Sequence, residues 1–202
     1  MALFGHKTIA GAAVFAALVS MPAIAQATPA METGAITSQP IGHYEFCLRL
    51  PDECNQRPRD RHAVTMGNQL WNTIKAVNVS INATVEAKSD LEVYGVEEYW
   101  AYPDQGAGDC EDYALEKRRA LHRLGISLAN LLITVVRKPD GEGHAVLTVR
   151  TDRGDYVLDN LTDEVQRWDE TDYTYLKRQA SDHTGRWVTI REGTTSLVGA
   201  VR

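Results

Sequence analysis

Cys110 follows Gly106-Ala107-Gly108-Asp109, precedes Glu111-Asp112, and opens a stretch of helical period. A thiol at a helix N-terminus has its thiolate stabilised by the macrodipole, and the thiolate is the nucleophilic form. Glycines ahead of it let another backbone approach. The competing reading is a buried, inert cysteine, the commonest fate of a free one. A nucleophilic thiol needs a base, and the chain holds six histidines. His122 is twelve residues along the same helix, about 18 Å of rise away. His6 falls in an N-terminal targeting pattern, His183 in a polar loop, and His43 and His62 lie outside the strand region. His144 opens a strand-like run directly after Gly143.

Asp159 is the partner that could orient His144. The runs around them form a hairpin turning at Asp152-Arg153. If Thr151 faces Gly154, Asp159 falls opposite Val146, on the face of His144, where diagonal neighbours lie about 7–8 Å apart. A bulge at Gly154 would shift the register by one and separate them. In the first register, Cys110, His144 and Asp159 reproduce the nucleophile, base and orienter of acyl-transfer enzymes. The three acids Asp109, Glu111 and Asp112 oppose thiolate formation unless a cation neutralises them. Hard oxygen ligands so placed suit Ca²⁺. First-turn acids with Asp109 as N-cap account for the same residues without a metal.

The elements that must position these groups are readable from periodicity. Leu70, Ile74, Val77, Ile81 and Val85 mark an apolar stripe on a helix within residues 60–88, with Asn72, Asn78 and Asn82 off that stripe. Residues 93–109 read as a loop with aromatic anchors Trp100 and Tyr102. Cys110–Leu124 is a second helix, with Gly125 as its C′ residue. Strand-type runs follow at Leu131–Arg137, His144–Arg150, Asp155–Asn160 and Trp187–Ile190, with turn signals at Pro139-Asp140-Gly141 and Asp152-Arg153-Gly154. Helices first and an antiparallel meander after give an α+β class.

The chain has 202 residues, 44% hydrophobic and 24% charged, an ordinary globular composition. Twenty-one Lys+Arg against 27 Asp+Glu give a formal charge of −6, which lacks the basic footprint of a nucleic-acid binder. Residues 1–25 read as a secretory signal. Lys7 is followed by the apolar run Thr8–Val19, then Pro22 and an A-x-A pattern at Ala23-Ile24-Ala25, with cleavage near Ala25 or Ala27. The run is too short to span a bilayer, so the mature chain is expected to lack a membrane span. Residues 26–43 read as a flexible leader and 44–202 as one domain. Export places the chain in an oxidising compartment, where Cys47 and Cys54 are expected to pair and Cys110 to remain free.

Trp100-Ala101-Tyr102-Pro103, Gly108-Asp109-Cys110-Glu111-Asp112-Tyr113-Ala114, Gly143-His144-Ala145-Val146-Leu147 and Val157-Leu158-Asp159-Asn160 together resemble the bacterial transglutaminase-like cysteine proteinases. The best-known kind in that family is the LapG-type periplasmic adhesin protease. The resemblance spans roughly residues 44–195. It implies a papain-like, transglutaminase-like core with the Cys-bearing helix packed on an antiparallel sheet, and a Cys–His–Asp triad at Cys110, His144 and Asp159. It also implies a Ca²⁺ site at Asp109 and Glu111, with Asp112 less firmly placed. Periplasmic location, a large surface adhesin as protein substrate, a role in biofilm attachment and an inner-membrane cyclic-di-GMP receptor as partner are further implications. A transglutaminase-like acyltransferase and a non-catalytic periplasmic binding module are the rival readings.

Overall fold

The computed structural model describes residues 1–2 and 30–191. The expected signal segment and the tail beyond residue 191 therefore lie outside the described residues, apart from Met1 and Ala2. The order of elements is β1 (Thr33–Thr37), α1 (Ile41–Arg49), α2 (Pro51–Cys54), α3 (Asn68–Thr84), β2 (Glu86–Ala87), α4 (Asp90–Tyr94), β3 (Ala107–Gly108) and α5 (Cys110–Arg123). Then follow β4 (Leu131–Arg137), β5 (Gly143–Thr151), β6 (Gly154–Leu158), β7 (Gln166–Arg167), β8 (Thr174–Ala180) and β9 (His183–Ile190). Seven strands form one sheet in the order β1-β9-β8-β4-β5-β6-β7, every pair antiparallel. Strands β2 and β3 form a separate parallel pair. The fold is mixed α+β, with α5 packed on the seven-stranded sheet.

Helix α5 carries its apolar stripe as Ala114, Leu115 and Leu121, all buried against Leu131 and Ile133 of β4 and Leu147 and Val149 of β5. That contact fixes the helix against the sheet and leaves the thiol at its first residue half-buried. The helix stops where Gly125 takes φ +94°, a left-handed conformation that costs glycine little. The α3 stripe packs into the same core through Ile74, with Leu70, Trp71 and Val77 at its margin.

The hairpin register is the one that places Thr151 opposite Gly154, and it continues through Thr148↔Val157 to Leu147↔Leu158. Asp159 therefore leaves β6 level with the start of β5, where His144 stands. A second apolar cluster, with Val136, Val146, Val157 and Tyr175 at its centre, lies beside the first.

Several features differ from the sequence expectation: His183, expected in a polar loop, opens β9, and the loop expected over residues 93–109 holds the end of α4 and β3. Residues 33–43, expected as part of a flexible leader, carry β1 and the start of α1. Strand β1 pairs with β9, and the Met31 N–H donates to Asp155 Oδ2 at 3.0 Å. The free edge of β9 supplies the backbone partners that a polar, apolar-poor segment cannot advertise in its sequence. Strand β8 was not legible, because its buried positions include Arg178 and Gln179. Both find partners inside the fold: Arg178 Nη1 donates to Asp155 Oδ2 at 2.9 Å, leaving its Nε without one, and Gln179 Oε1 accepts the Ile133 N–H at 3.0 Å. Asn78, expected off the buried stripe, is fully buried. Its Nδ2 donates to the Thr162 carbonyl at 3.0 Å, which offsets part of the cost of burial, while its Oδ1 has no partner.

Candidate active site

Cys110 is the first residue of α5 and lies in a cleft of about 340 Å³ lined also by Trp100, Asp109, Glu111, His144 and Ala145. It is the free cysteine, since Cys47 and Cys54 form a disulfide with a Cα–Cα separation of 5.5 Å. Trp100 forms a buried wall of the cleft, and its Nε1–H donates to Glu98 Oε1 at 2.7 Å.

His144 Nε2 and Asp159 Oδ1 are 2.8 Å apart, and both side chains are buried. The same Asp159 oxygen accepts the Leu161 N–H at 3.0 Å, and Oδ2 accepts the Tyr173 hydroxyl at 2.6 Å. Burial works to raise the Asp159 pKa, but the bonds from His144, Leu161 and Tyr173 outweigh it and hold it below the usual carboxylate value. A carboxylate on Nε2 fixes the neutral imidazole with its proton there, which leaves the Nδ1 lone pair as the basic site. Asn82 holds the loop behind this pair, its Nδ2 donating to the Asp159 carbonyl at 3.0 Å and to Asp163 Oδ1 at 3.0 Å.

Three of the other described histidines are engaged elsewhere, His183 through an Nδ1 that accepts the Gly185 N–H at 3.1 Å, while His62 is exposed. His43 is buried between Trp100 and Trp187. Burial and the Arg118 charge push its pKa down to about 3, so it is neutral. His122 Nδ1 bonds to the Ile126 carbonyl at 2.9 Å.

The acids around Cys110 divide in a way the sequence does not reveal. Asp109 occupies the N-cap position of α5, yet no side-chain capping bond is made, so the capping reading does not account for it. Its carboxylate groups instead with those of Asp112 and Asp90, with all three ligand atoms within 4.8 Å of one another. Asp90 opens α4, twenty residues before Cys110, and no local signal linked it to the thiol.

Each of the three holds an oxygen that is buried and without a hydrogen-bond partner: Asp90 Oδ1, Asp109 Oδ1 and Asp112 Oδ2. The other oxygens of Asp90 and Asp112 are spent on the intervening loop. Asp90 Oδ2 accepts the Tyr99 N–H, and Asp112 Oδ1 accepts the Ala101 N–H at 2.7 Å. Gly108 is required here, because a Cβ would meet Asp112 Oδ2 at 2.5 Å. Burial, reinforced by the neighbouring carboxylates, pushes Asp112 up to about 8 and Asp90 up to about 6. Three converging carboxylates, each with one buried oxygen lacking a partner, are a donor set that fits a hard cation such as Ca²⁺.

Glu111 is turned to the thiol. Its Oε2 accepts from the Cys110 thiol at 3.0 Å, and it forms a second close group with Cys110 and Asp109, outside the Asp90–Asp109–Asp112 trio. Burial and then the Glu111 carboxyl push the Cys110 thiol well above its ordinary value, while the Ala145 N–H works the other way. Glu111 is itself raised, by burial and the Asp109 charge.

The family described as bacterial transglutaminase-like cysteine proteinase (BTLCP) matches residues 33–195. The chain belongs to this family. Among solved structures, calcium-bound LapG of Legionella pneumophila is similar with a TM-score of 0.51 and 21% identity, over 80% of this chain and 88% of that one. A second structure of Legionella pneumophila LapG has a TM-score of 0.50 and 24% identity, over 58% of this chain and 68% of that one. The EGTA-treated form gives 0.50 and 21%, over 64% and 74%. These likenesses establish a LapG-like fold. A comparison with curated proteins returned no significant match. No helix among the described residues is long and apolar enough to cross a membrane.

Proposed function

We propose that this cysteine proteinase is a calcium-dependent periplasmic endopeptidase acting through Cys110, His144 and Asp159. The observation that carries the reading is the 2.8 Å bond between His144 Nε2 and Asp159 Oδ1, with Cys110 and His144 lining one cleft. His144 Nδ1 takes the thiol proton, and the Cys110 sulfur attacks the peptide carbonyl. The imidazolium then protonates the leaving amine, and water releases the acyl group with the same base. The Cys110 backbone N–H, in the first turn of α5 and without an intrahelical partner, is placed to donate to the oxyanion. Asp159 keeps the imidazole in one tautomer throughout.

Calcium would be held by Asp90, Asp109 and Asp112. When bound, it would supply positive charge beside a thiol that burial and then the surrounding acids keep protonated. Those three side chains also tie α4, the Tyr99–Ala101 loop and the start of α5 together, so their geometry sets where Cys110 stands. The export signal read at residues 1–25 and the disulfide support a periplasmic location. The reading extends to a large surface adhesin as substrate, control of biofilm attachment, and a cyclic-di-GMP receptor as the sequestering partner, as the family resemblance of the sequence implies.

The test compares surface-bound and released proteins of a wild-type strain with those of a Cys110→Ala strain, by mass spectrometry. The expected result is an adhesin fragment released only with Cys110 present, and lost on EGTA treatment. Amine incorporation into protein without backbone cleavage would decide for the acyltransferase instead. An unchanged protein inventory and phenotype in Cys110→Ala would decide for a binding module.

A further inference from the structure

We infer that Tyr173 is a positioning residue of the catalytic unit, holding the Asp159 carboxylate and covering the His144 imidazole. The inference rests on reading Cys110, His144 and Asp159 as that unit, and it adds a member on which the reaction chemistry itself makes no demand. Tyr173 lies in the turn just before β8, remote in sequence from both its partners. Its hydroxyl donates to Asp159 Oδ2 at 2.6 Å. Its ring meets the His144 ring edge-on, with centroids 5.7 Å apart and planes at 61°. The ring body packs against the apolar cluster of Val136, Val146, Val157 and Tyr175, which fixes its direction.

The two contacts have distinct consequences. Asp159 Oδ1 carries the bonds from His144 and Leu161, so rotation about its Cβ–Cγ bond already costs two hydrogen bonds. The Tyr173 hydroxyl supplies the donor for Oδ2 and adds a third bond that the same rotation would break. A neutral phenol also holds a carboxylate without competing for its charge, as a second cation would. Burial and Asp159 together raise the Tyr173 pKa, so the hydroxyl keeps its proton and remains a donor across the working pH range. The ring replaces water against the imidazole face, and the His144–Asp159 bond is stronger where water is excluded.

The experiment measures the rate at which iodoacetamide alkylates Cys110 in the full mature chain, in calcium-containing buffer. Iodoacetamide reads the readiness of the thiol without any peptide, so the result is independent of which bond the enzyme cuts. Tyr173→Phe keeps the ring and loses the hydroxyl. Loss of a hydrogen bond to a charged acceptor should slow alkylation roughly tenfold. The melting temperature should move little, since the ring packing is retained.

Two further readouts separate positioning from general structure. The His144 Nε2–H proton resonance, followed with ¹⁵N-histidine labelling, should shift in Tyr173→Phe. In an Asp159→Asn background the same substitution should have no further effect on alkylation, because Tyr173 acts through Asp159. Wild-type alkylation and an unmoved His144 resonance in Tyr173→Phe would overturn the inference. So would losses that multiply in the double variant. If instead His144→Ala and Asp159→Asn also leave alkylation at the wild-type rate, the catalytic-unit reading itself fails, which is a separate outcome.

Discussion

Asp159 and the Asp90–Asp109–Asp112 group are both buried carboxylate sites within one active-site region, and the fold treats them in opposite ways. Around Asp159 both oxygens are satisfied by donors from the protein: His144, Leu161 and Tyr173. The result is a carboxylate held ionised below its ordinary pKa. Around the trio, one oxygen of each residue has no partner, and both Asp90 and Asp112 are raised. The protein finishes the first site itself. The second is left with surplus negative charge, and charge of that kind is stabilised by something the chain does not supply. The difference separates a part of the site that orients the base permanently from a part that an ion can switch.

Disabling the finished half should have the largest effect. Cys110→Ala and His144→Ala should each lower kcat/KM by roughly a thousandfold or more, with the double variant little worse than either single one. Multiplying losses, measured by peptide or adhesin cleavage, would mean the two residues do not act as one unit.

The unfinished half should respond to ions. EGTA should abolish cleavage, and added calcium should restore it better than magnesium, which demands a tighter octahedral shell. Asp90→Asn should raise the calcium concentration needed, although Asp90 is remote from Cys110 in sequence. At a hundredfold excess over Kd, calcium should stabilise the fold by about 2.7 kcal/mol, read as a rise in Tm. Full activity in EGTA with an unmoved Tm would remove the cation from the account.

The two halves should also differ in the sign of their pH dependence. Asp112 and Asp90 have raised pKa values in the folded, calcium-free chain, so the folded state keeps protons that the unfolded chain releases above about pH 4. Their contribution is present at low pH and is lost as pH rises toward about 8, the value to which Asp112 is pushed. Asp159 has a lowered folded value, so its contribution is present above the ordinary carboxylate pKa and is lost as pH falls through the folded one. Thermal melts should show stability falling from about pH 4 toward about pH 8, a slope that calcium flattens, and an acid limb that Asp159→Asn reduces. A calcium-insensitive slope in that window would assign it to other groups.

The smallest effect expected is on the boundary between the two halves. Glu111 touches the thiol and stands outside the trio. Glu111→Gln should therefore lower calcium affinity, measured by titration calorimetry, less than Asp112→Asn does. Equal losses would place Glu111 among the ligands after all.

Much of this region was legible from residue order because its determinants are local. The helix onset at Cys110, the stop at Gly125 and the turn at Asp152-Arg153 each depend on a few neighbouring residues. The turn then sets the register that carries Asp159 opposite Val146, diagonal to His144 on the same face. The Cys47–Cys54 bridge is equally local, spanning seven positions. Side-chain direction and long-range contact are another matter. Only the packing of α4 against the Tyr99–Ala101 loop brings Asp90 to Asp109 and Asp112. Only the rotamer of Glu111 turns it to the thiol while Asp109, two residues earlier, turns to the other acids. Tyr173 reaches Asp159 through the β8 turn, and Asn78 and Asn82 grip the 159–163 loop from α3. Sequence spacing determined which residues could do chemistry, because periodicity and turn type act over a few residues. The tertiary structure decided which oxygens are satisfied and which are left for an ion, because that depends on donors brought in from distant parts of the chain.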